Sequence, residues 1–435
     1  MPSLNVAAYI RECIESVVNQ SLKEIEIICV DAGSTDGTLE ILQEYAKKDE
    51  RVRIINFPVK SYGFQMNLGI DTAQGDYIGI VETDDFVEPD MFELLLKAAE
   101  ESGADVTKCD YYKYKSKPFP YNIPANNLKL LDKNVCFRIR RQPALMSRHP
   151  SIWCGLYKKS FLTKKEIRFV ESPGASFQDN AFIMKCEMAA DNIYLIGNYL
   201  YHYRTDNEGS SVKNKSKIYC ICDEVNSAVE YLNSKCEYKE ECADIVYAQC
   251  ARACFRNYNR LDNEGRELFA KRMSEYFTGV LGGHLLGNKH LYRTEINNAK
   301  MVIRNYHDFY EKNRVECEEN NQLDDYIKLF KEYFDNRDKL NHETGKEAKM
   351  VNQMVEAIKN MPFRFIQDLR RLSFYDDEIQ EIFETTLSHA IDQSAQEKKS
   401  SKGFVKRMIA CINDNGLKYT VARIGEQLRI VLWEG

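Results

Sequence analysis

No stretch of this chain approaches the roughly 20 consecutive apolar residues that a membrane-spanning helix needs. Near the amino terminus Arg11, Glu12 and Glu15 interrupt any apolar region, which argues against a secretory leader. A basic surplus is missing too: Lys and Arg total 60 against 66 Asp and Glu, a net charge of -6. Binding of nucleic acid through bulk electrostatics is thereby disfavoured. There are 14 cysteines, but Cys220 with Cys222 and Cys250 with Cys254 match no zinc spacing, and no second pair stands at a suitable distance. Scattered thiols of this kind fit a reduced, cytoplasmic protein. Neither GxxxxGK(S/T) nor GxGxxG occurs, so no P-loop and no dinucleotide fingerprint is available to bind phosphate.

What is present is a regular alternation at the start. Ile10, Cys13, Ile14, Val17 and Val18 share one helical face, and the apolar run Ile25 to Val30 reads as a strand. Thr38 to Tyr45 reads as a helix, Val52 to Ile55 as a strand, and Phe64 to Ala73 as a helix. Tyr77 to Val81 is the next strand and Met91 to Glu101 a helix with an apolar stripe. This order implies an α/β fold with a mainly parallel sheet flanked by helices, in which ligands bind at the carboxyl ends of the strands. Residues 1–112 form one half of that domain, and 113–213 a second half on the same sheet, rich in aromatics near Tyr111, Tyr112, Tyr114, Phe119 and Tyr121. Residues 214–435, mostly charged amphipathic segments with little glycine or proline, read as an all-α carboxyl-terminal domain. Within it, 398–403 reads as an exposed linker. The tail from Leu417 to Trp433 carries basic and apolar residues in a mixture that suits either a membrane surface or an ordinary closing element.

The chemistry concentrates at two strand ends. Glu82, Asp84 and Asp85 put three carboxylates close together after Val81, where like charges repel unless something compensates. Mg²⁺ or Mn²⁺ is the usual compensation, since both take carboxylate, water and phosphate oxygens. The competing reading is a solvated acidic turn before a helix that starts near Pro89 and Asp90. Upstream, Asp31-Ala32-Gly33-Ser34-Thr35-Asp36-Gly37-Thr38 forms a loop with two glycines, in which Asp36 or Ser34 can cap the next helix. A haloacid-dehalogenase reading of Asp36-Gly37-Thr38 fails, because Ser34 stands where the nucleophilic Asp is required.

These segments resemble the family 2 glycosyltransferases, with the nucleotide-sugar-binding glycosyltransferase A fold. The resemblance runs through Pro2-Ser3-Leu4-Asn5, Ser16 to Leu22, Val30 to Thr38, Met66-Asn67-Leu68-Gly69-Ile70, Ala73 to Ile78 and Glu82-Thr83-Asp84-Asp85. It resumes at Trp153 to Lys158, Phe177-Gln178-Asp179 and Tyr203-Arg204 with Ser210 and Ser211, covering about half the chain in order. It implies that Asp31 reaches the nucleobase, with Asn5 and Asn67 in the same donor site. Asp84 approaches the ribose or the metal, Asp85 holds Mn²⁺ or Mg²⁺ against the diphosphate, and Asp179 is the general base. For an inverting displacement one base and one cation suffice. Read locally, Asp179 is a helix N-cap, and Trp153 and the tyrosines of 199–203 are core aromatics.

The chain departs from that pattern in three places. An apolar strand is expected before the Pro-x-x-Asn segment and is apparently missing, since the sequence starts at Met1-Pro2. The usual acidic pair of the loop is Asp31-Ala32, and Gln178-Asp179 replaces Glu-Asp. The expectation is therefore a metal-dependent transfer from a nucleotide-diphosphate sugar, a UDP-sugar by resemblance, to a saccharide or lipid-linked acceptor in cell-surface polysaccharide synthesis. The enzyme is expected at the cytoplasmic face of the inner membrane, peripheral to it, and a homo-oligomer is compatible. A non-catalytic scaffold with the same fold is the alternative, favoured by the missing strand. A nucleotidyltransferase would need a basic Gly-rich phosphate loop that the sequence lacks.

Overall fold

In the computed structural model of the chain, residues 1–314 are described apart from 117–119, 176 and 208–216. The chain divides into two units, Met1–Asn313 and Arg314–Gly435. The linker at 398–403, the tail from Leu417, and Ser210 and Ser211 lie outside the described residues.

The amino-terminal layer follows the alternation. Strand β1 (Pro2–Ser3) leads to helix α1 (Ile10–Val18), then β2 (Ile27–Asp31), α2 (Thr38–Lys48), β3 (Val52–Asn56) and α3 (Tyr62–Thr72). The strands form a parallel three-stranded sheet in the order β1-β2-β3. All five residues of β2 are buried, as a central parallel strand covered on both faces requires. Ile10, Cys13, Ile14 and Val17 are the buried stripe of α1, matching the helical period.

The Pro-x-x-Asn segment itself opens with a two-residue strand, placed where the expected preceding strand would end. Pro2 and Ser3 pair with Val30 and Asp31, and Val30 N–H donates to the Met1 carbonyl at 2.9 Å. The far side is closed by side chains: Gln65 Nε2 donates to the carbonyls of Ser3 at 2.9 Å and Val30 at 2.7 Å, and Thr83 Oγ1 donates to the Pro2 carbonyl at 2.7 Å. Two residues hold as a strand because their backbone groups find these buried partners.

The second sheet departs from the expected parallel order. After β4 (Tyr77–Gly79) come β5 (Phe86–Val87), α4 (Met91–Ser102), β6 (Val106–Lys115), β7 (Tyr121–Pro124), β8 (Gly155–Lys158), α5 (Lys159–Lys164), α6 (Gln178–Ala189) and β9 (Ile193–Arg204). They form a six-stranded sheet ordered β4-β8-β6-β9-β5 with β7 on β6. Only β6 and β9 run parallel; the other pairings are antiparallel. The mainly parallel expectation thus holds for residues up to Asn56, and the rest is a mixed sheet. Of these antiparallel pairs, only β6 and β7 are joined by a short connection; the others join strands remote in the chain, β8 to β4 and β6, and β9 to β5.

Beyond β9 the described chain is helical: α7 (Cys220–Ser234), α8 (Lys239–Arg260), α9 (Asn263–Gly279), α10 (Arg293–Arg304) and α11 (Tyr306–Asn313). These helices belong to the same unit as the sheets, so the break falls at Asn313 where the sequence suggested 213, and a boundary at 112 would cut β6. Among the described residues no helix is long and apolar enough to cross a membrane.

One close approach fixes the floor of the site. Asn67 on α3 brackets the 169–171 segment, donating from Nδ2 to the Phe169 carbonyl at 3.0 Å and to Glu171 Oε1 at 2.8 Å, and accepting from Phe169 N–H at 3.0 Å. Gly63 makes that contact possible, since a Cβ there would lie 1.9 Å from the Val170 carbonyl oxygen. Gly63→Ala is expected to lower unfolding stability by about 1–3 kcal/mol, the usual cost of overpacking, read as a lower urea midpoint at unchanged m-value.

Candidate active site

The carboxyl ends of β1, β2 and β4 and the amino end of α6 bring the singled-out residues together. Asp31, fully buried at the end of β2, is turned into its own loop. It accepts from Gly33 N–H at 3.0 Å, Ser34 N–H at 2.8 Å, Ser34 Oγ at 2.6 Å and Ser3 Oγ at 3.0 Å. Gly33, with φ of 85°, lets the chain turn over that carboxylate. The structure therefore places Asp31 as the staple of the loop, and the polar edge it presents is made by its neighbours. Asn5, at φ of 55°, accepts from Thr35 N–H at 2.9 Å and donates its own N–H to Ser34 Oγ at 2.9 Å. Asp36 accepts from Ala7 N–H at 2.9 Å and from Thr38 N–H at 3.1 Å. The β1 and β2 loops are thus knitted into one rigid rim.

Asn67 lies elsewhere. It is buried, and both ends of its amide are committed to the 169–171 segment, so it acts on the donor site only as a support. Sequence reasoning could not see this, because the partner segment is remote in the chain.

The acidic cluster after β4 splits into exposed and buried members. Asp85 is buried and spent on protein: Oδ2 accepts from Tyr201 O–H at 2.8 Å and Oδ1 from Arg204 N–H at 2.7 Å. Burial, then the neighbouring Asp84 charge, pushes its pKa well above the carboxylate range. Asp84 is only half-buried, and among the described residues its carboxylate accepts from Asn207 Nδ2 alone, at 2.8 Å. Glu82 accepts from Tyr62 O–H, and burial lifts its pKa to about 7, with Asp84 and Asp179 also raising it. Asp179 likewise acts on the Tyr62 hydroxyl. Tyr62 and Glu82 are thus in direct contact, and Asp84 and Asp179 lie near enough for their charges to act on that pair.

The donor set bears on the expected cation. Each oxygen of Asp85 already accepts one protein hydrogen bond, whereas Asp84 is the more open carboxylate; a cation there would take water and phosphate oxygens to complete its shell. No group of three or more His, Cys, Asp or Glu side chains converges among the described residues. Of the two carboxylates expected at the metal, Asp85 is the one engaged by protein donors and Asp84 the more open.

Asp179 stands in the first turn of α6, not at its cap. The cap position is Phe177, with φ of 63° and no side-chain cap. Asp179 Oδ1 accepts from Asn180 Nδ2 at 3.0 Å; loss of solvation raises its pKa, partly opposed by Arg256. Gln178, beside it, uses its amide to donate to Ser172 Oγ at 2.9 Å and the Gly174 carbonyl at 3.0 Å, contacts a Glu could not make.

Two other candidates are structural. Arg204 donates through Nε to the Asp84 carbonyl at 2.8 Å and through its guanidinium to Glu12, and lies over the rings of Tyr9 and Tyr114. It braces the acidic turn from behind. Trp153 is 5% exposed and stacks on Tyr201 at 4.2 Å and Tyr203 at 5.2 Å between ring centroids, so it is a core aromatic. Tyr62, Ser3 and the Tyr201 hydroxyl were not singled out for the site; each is an ordinary strand or helix residue until the fold juxtaposes it.

Comparison with known proteins identifies the family and the fold. Residues 1–164 match the profile of Glycosyl transferase family 2. The chain is 32% identical over 209 residues to the uncharacterized glycosyltransferase EpsJ of Bacillus subtilis, covering 47% of this chain and 59% of that one. It is 33% identical over 213 residues to the glycosyltransferase GlyG of Streptococcus pneumoniae, covering 47% of this chain and 69% of that one. Among solved structures, TarS 1-349 of S. aureus in complex with UDP superposes with a TM-score of 0.53 at 17% identity, over 71% of this chain and 88% of that one, a likeness of fold. With the matched profile falling on the strand ends that build the pocket, the chain belongs to the family 2 glycosyltransferases.

Proposed function

We propose that the chain is an inverting glycosyltransferase that moves a sugar from a UDP-sugar to a saccharide or lipid-linked acceptor in cell-surface polysaccharide assembly, working at the cytoplasmic face of the membrane. The observation that carries this reading is the match to the glycosyltransferase family profile over residues 1–164, with the Tyr62–Glu82 contact and the charges of Asp84 and Asp179 acting on it. The UDP complex of the TarS fold neighbour and the glycosyltransferase relatives support the donor class.

In this reading the knitted β1 and β2 loops receive the nucleoside, and Asn5, Ser34 and Thr35 form its polar rim. Asp84 faces the diphosphate and would hold Mn²⁺ or Mg²⁺. Such a cation, when bound, neutralises charge on the departing diphosphate. Asp179 accepts the proton of the acceptor hydroxyl as that oxygen attacks the anomeric carbon. Tyr62 keeps Glu82 hydrogen-bonded, so the pocket does not gather three fully exposed charges. The scaffold alternative draws on the missing apolar strand; against it, Pro2 and Ser3 do pair with Val30 and Asp31 and complete the edge beside β2.

Calorimetric titration with UDP, with and without Mn²⁺, tests the donor site. Binding that strengthens with Mn²⁺ and loses that gain in Asp84→Ala is the expected result. UDP binding indifferent to both would remove the metal from the proposal, and no binding at all would remove the donor.

A further inference from the structure

Helix α6 carries the base on its first turn yet has no cap of its own. The first four N–H groups of any helix lack intrahelical partners, and Phe177 at the cap position offers no side-chain acceptor. One of these donors, Ala181 N–H, is satisfied from outside: it donates to Glu224 Oε2 of α7 at 3.2 Å. Glu224 is fully buried, and its second oxygen, Oε1, has no hydrogen-bond partner. A carboxyl buried this deeply with one idle oxygen is costly unless it serves something.

We propose that Glu224 is a positioning residue for the general base: from the helical region it caps α6 in trans at Ala181 and thereby fixes Asp179, two residues earlier, in the pocket. This rests on the reading of Asp179 given above. The charged groups around Glu224 are Asp179 and Lys185 of α6 and Asp223 of its own helix, while Arg256 of α8 faces Asp179. Burial pushes Glu224 up to about 9, so near neutral pH it sits beside Asp179 as a neutral acid. An ionised Glu224 would add a like charge and make Asp179 a base only at higher pH. The helices beyond β9 thus contribute to the reaction by supplying a cap and withholding a charge.

The test uses the full chain and UDP release from UDP-glucose, UDP-galactose and UDP-N-acetylglucosamine, alongside Asp179→Asn. Glu224→Ala is expected to lower kcat about 10- to 100-fold, the scale of a misplaced catalytic group, with KM for the donor and UDP affinity unchanged. Glu224→Gln, whose amide oxygen can still accept from Ala181 N–H, should restore kcat and keep the acid limb of the pH profile in place. It should also melt higher than the parent at pH 8 and not at pH 4. The raised Glu224 pKa means stability present below its ordinary value of 4.5 is lost as pH rises through about 9, and the amide escapes that loss. Wild-type kcat in Glu224→Ala, or a folded Glu224→Gln as impaired as the Ala variant, overturns the inference while Asp179→Asn remains inactive. An active Asp179→Asn, or no release by the parent with any donor, overturns the functional reading and this inference with it.

Discussion

If Asp179 is the general base as proposed, Asp179→Asn is expected to abolish sugar transfer while UDP still binds with parental affinity. The expectation follows from the role proposed for the carboxyl. Loss of a positioned general base costs about 10²- to 10⁴-fold in rate, and the amide cannot take up the acceptor proton. Its shape is conserved, and its hydrogen bonds, from Asn180 Nδ2 and from the backbone N–H groups of Asp179 and Asn180, can still end on an amide oxygen. The fold should therefore survive. Because lost solvation raises the Asp179 pKa, the acid limb of the parental pH profile should lie above the usual carboxylate range. The base works only when ionised, so activity falls as pH drops through that raised value. Single-turnover release of UDP, measured beside calorimetric binding, separates the two quantities. Retained transfer in Asp179→Asn would assign the proton to another group.

Much of the amino-terminal fold was legible because its signals are local. The β-branched run ending at Asp31 could be nothing but a buried strand, and the stripe Ile10, Cys13, Ile14, Val17 fixes both a helix and its inward face. The mixed second sheet was not legible. Its order depends on β8 and β9 finding β6 across long stretches of chain, and nothing in a strand's own residues names its neighbour. The candidate site divides the same way. The loops rich in Asp, Gly and Ser announce themselves, yet spelling alone does not say whether a carboxylate faces ligand or protein. Asp31 and Asp84 both end strand-like runs, and one is consumed by its own loop while the other stays half-open. The trans cap on α6 was invisible, since Glu224 lies in a helix whose sequence reads as ordinary amphipathic surface and meets Ala181 across 43 residues.

Asp84 and Asp85 are neighbours whose substitution should produce opposite phenotypes. Removing the Asp85 side chain leaves the Tyr201 hydroxyl and the Arg204 N–H buried without their acceptor, at about 1–3 kcal/mol for each stranded group. Part of that is offset, because burying the carboxyl is itself unfavourable, as its raised pKa records. A net loss of about 2–3 kcal/mol in urea unfolding is expected for Asp85→Ala. Asp85→Asn should lose less, since its amide oxygen can accept from Arg204 N–H. Asp84 has one described acceptor contact, to Asn207, and is half-exposed, so Asp84→Ala should change stability by no more than about 0.5 kcal/mol. Its effect falls on the ligand: the gain in UDP affinity that Mn²⁺ provides should disappear. The comparison works because the two residues differ in what their oxygens already hold. If Asp85→Ala kept full stability and lost the Mn²⁺-dependent gain instead, the metal would belong on Asp85, and the hydrogen bonds from Tyr201 and Arg204 would have to open to admit it.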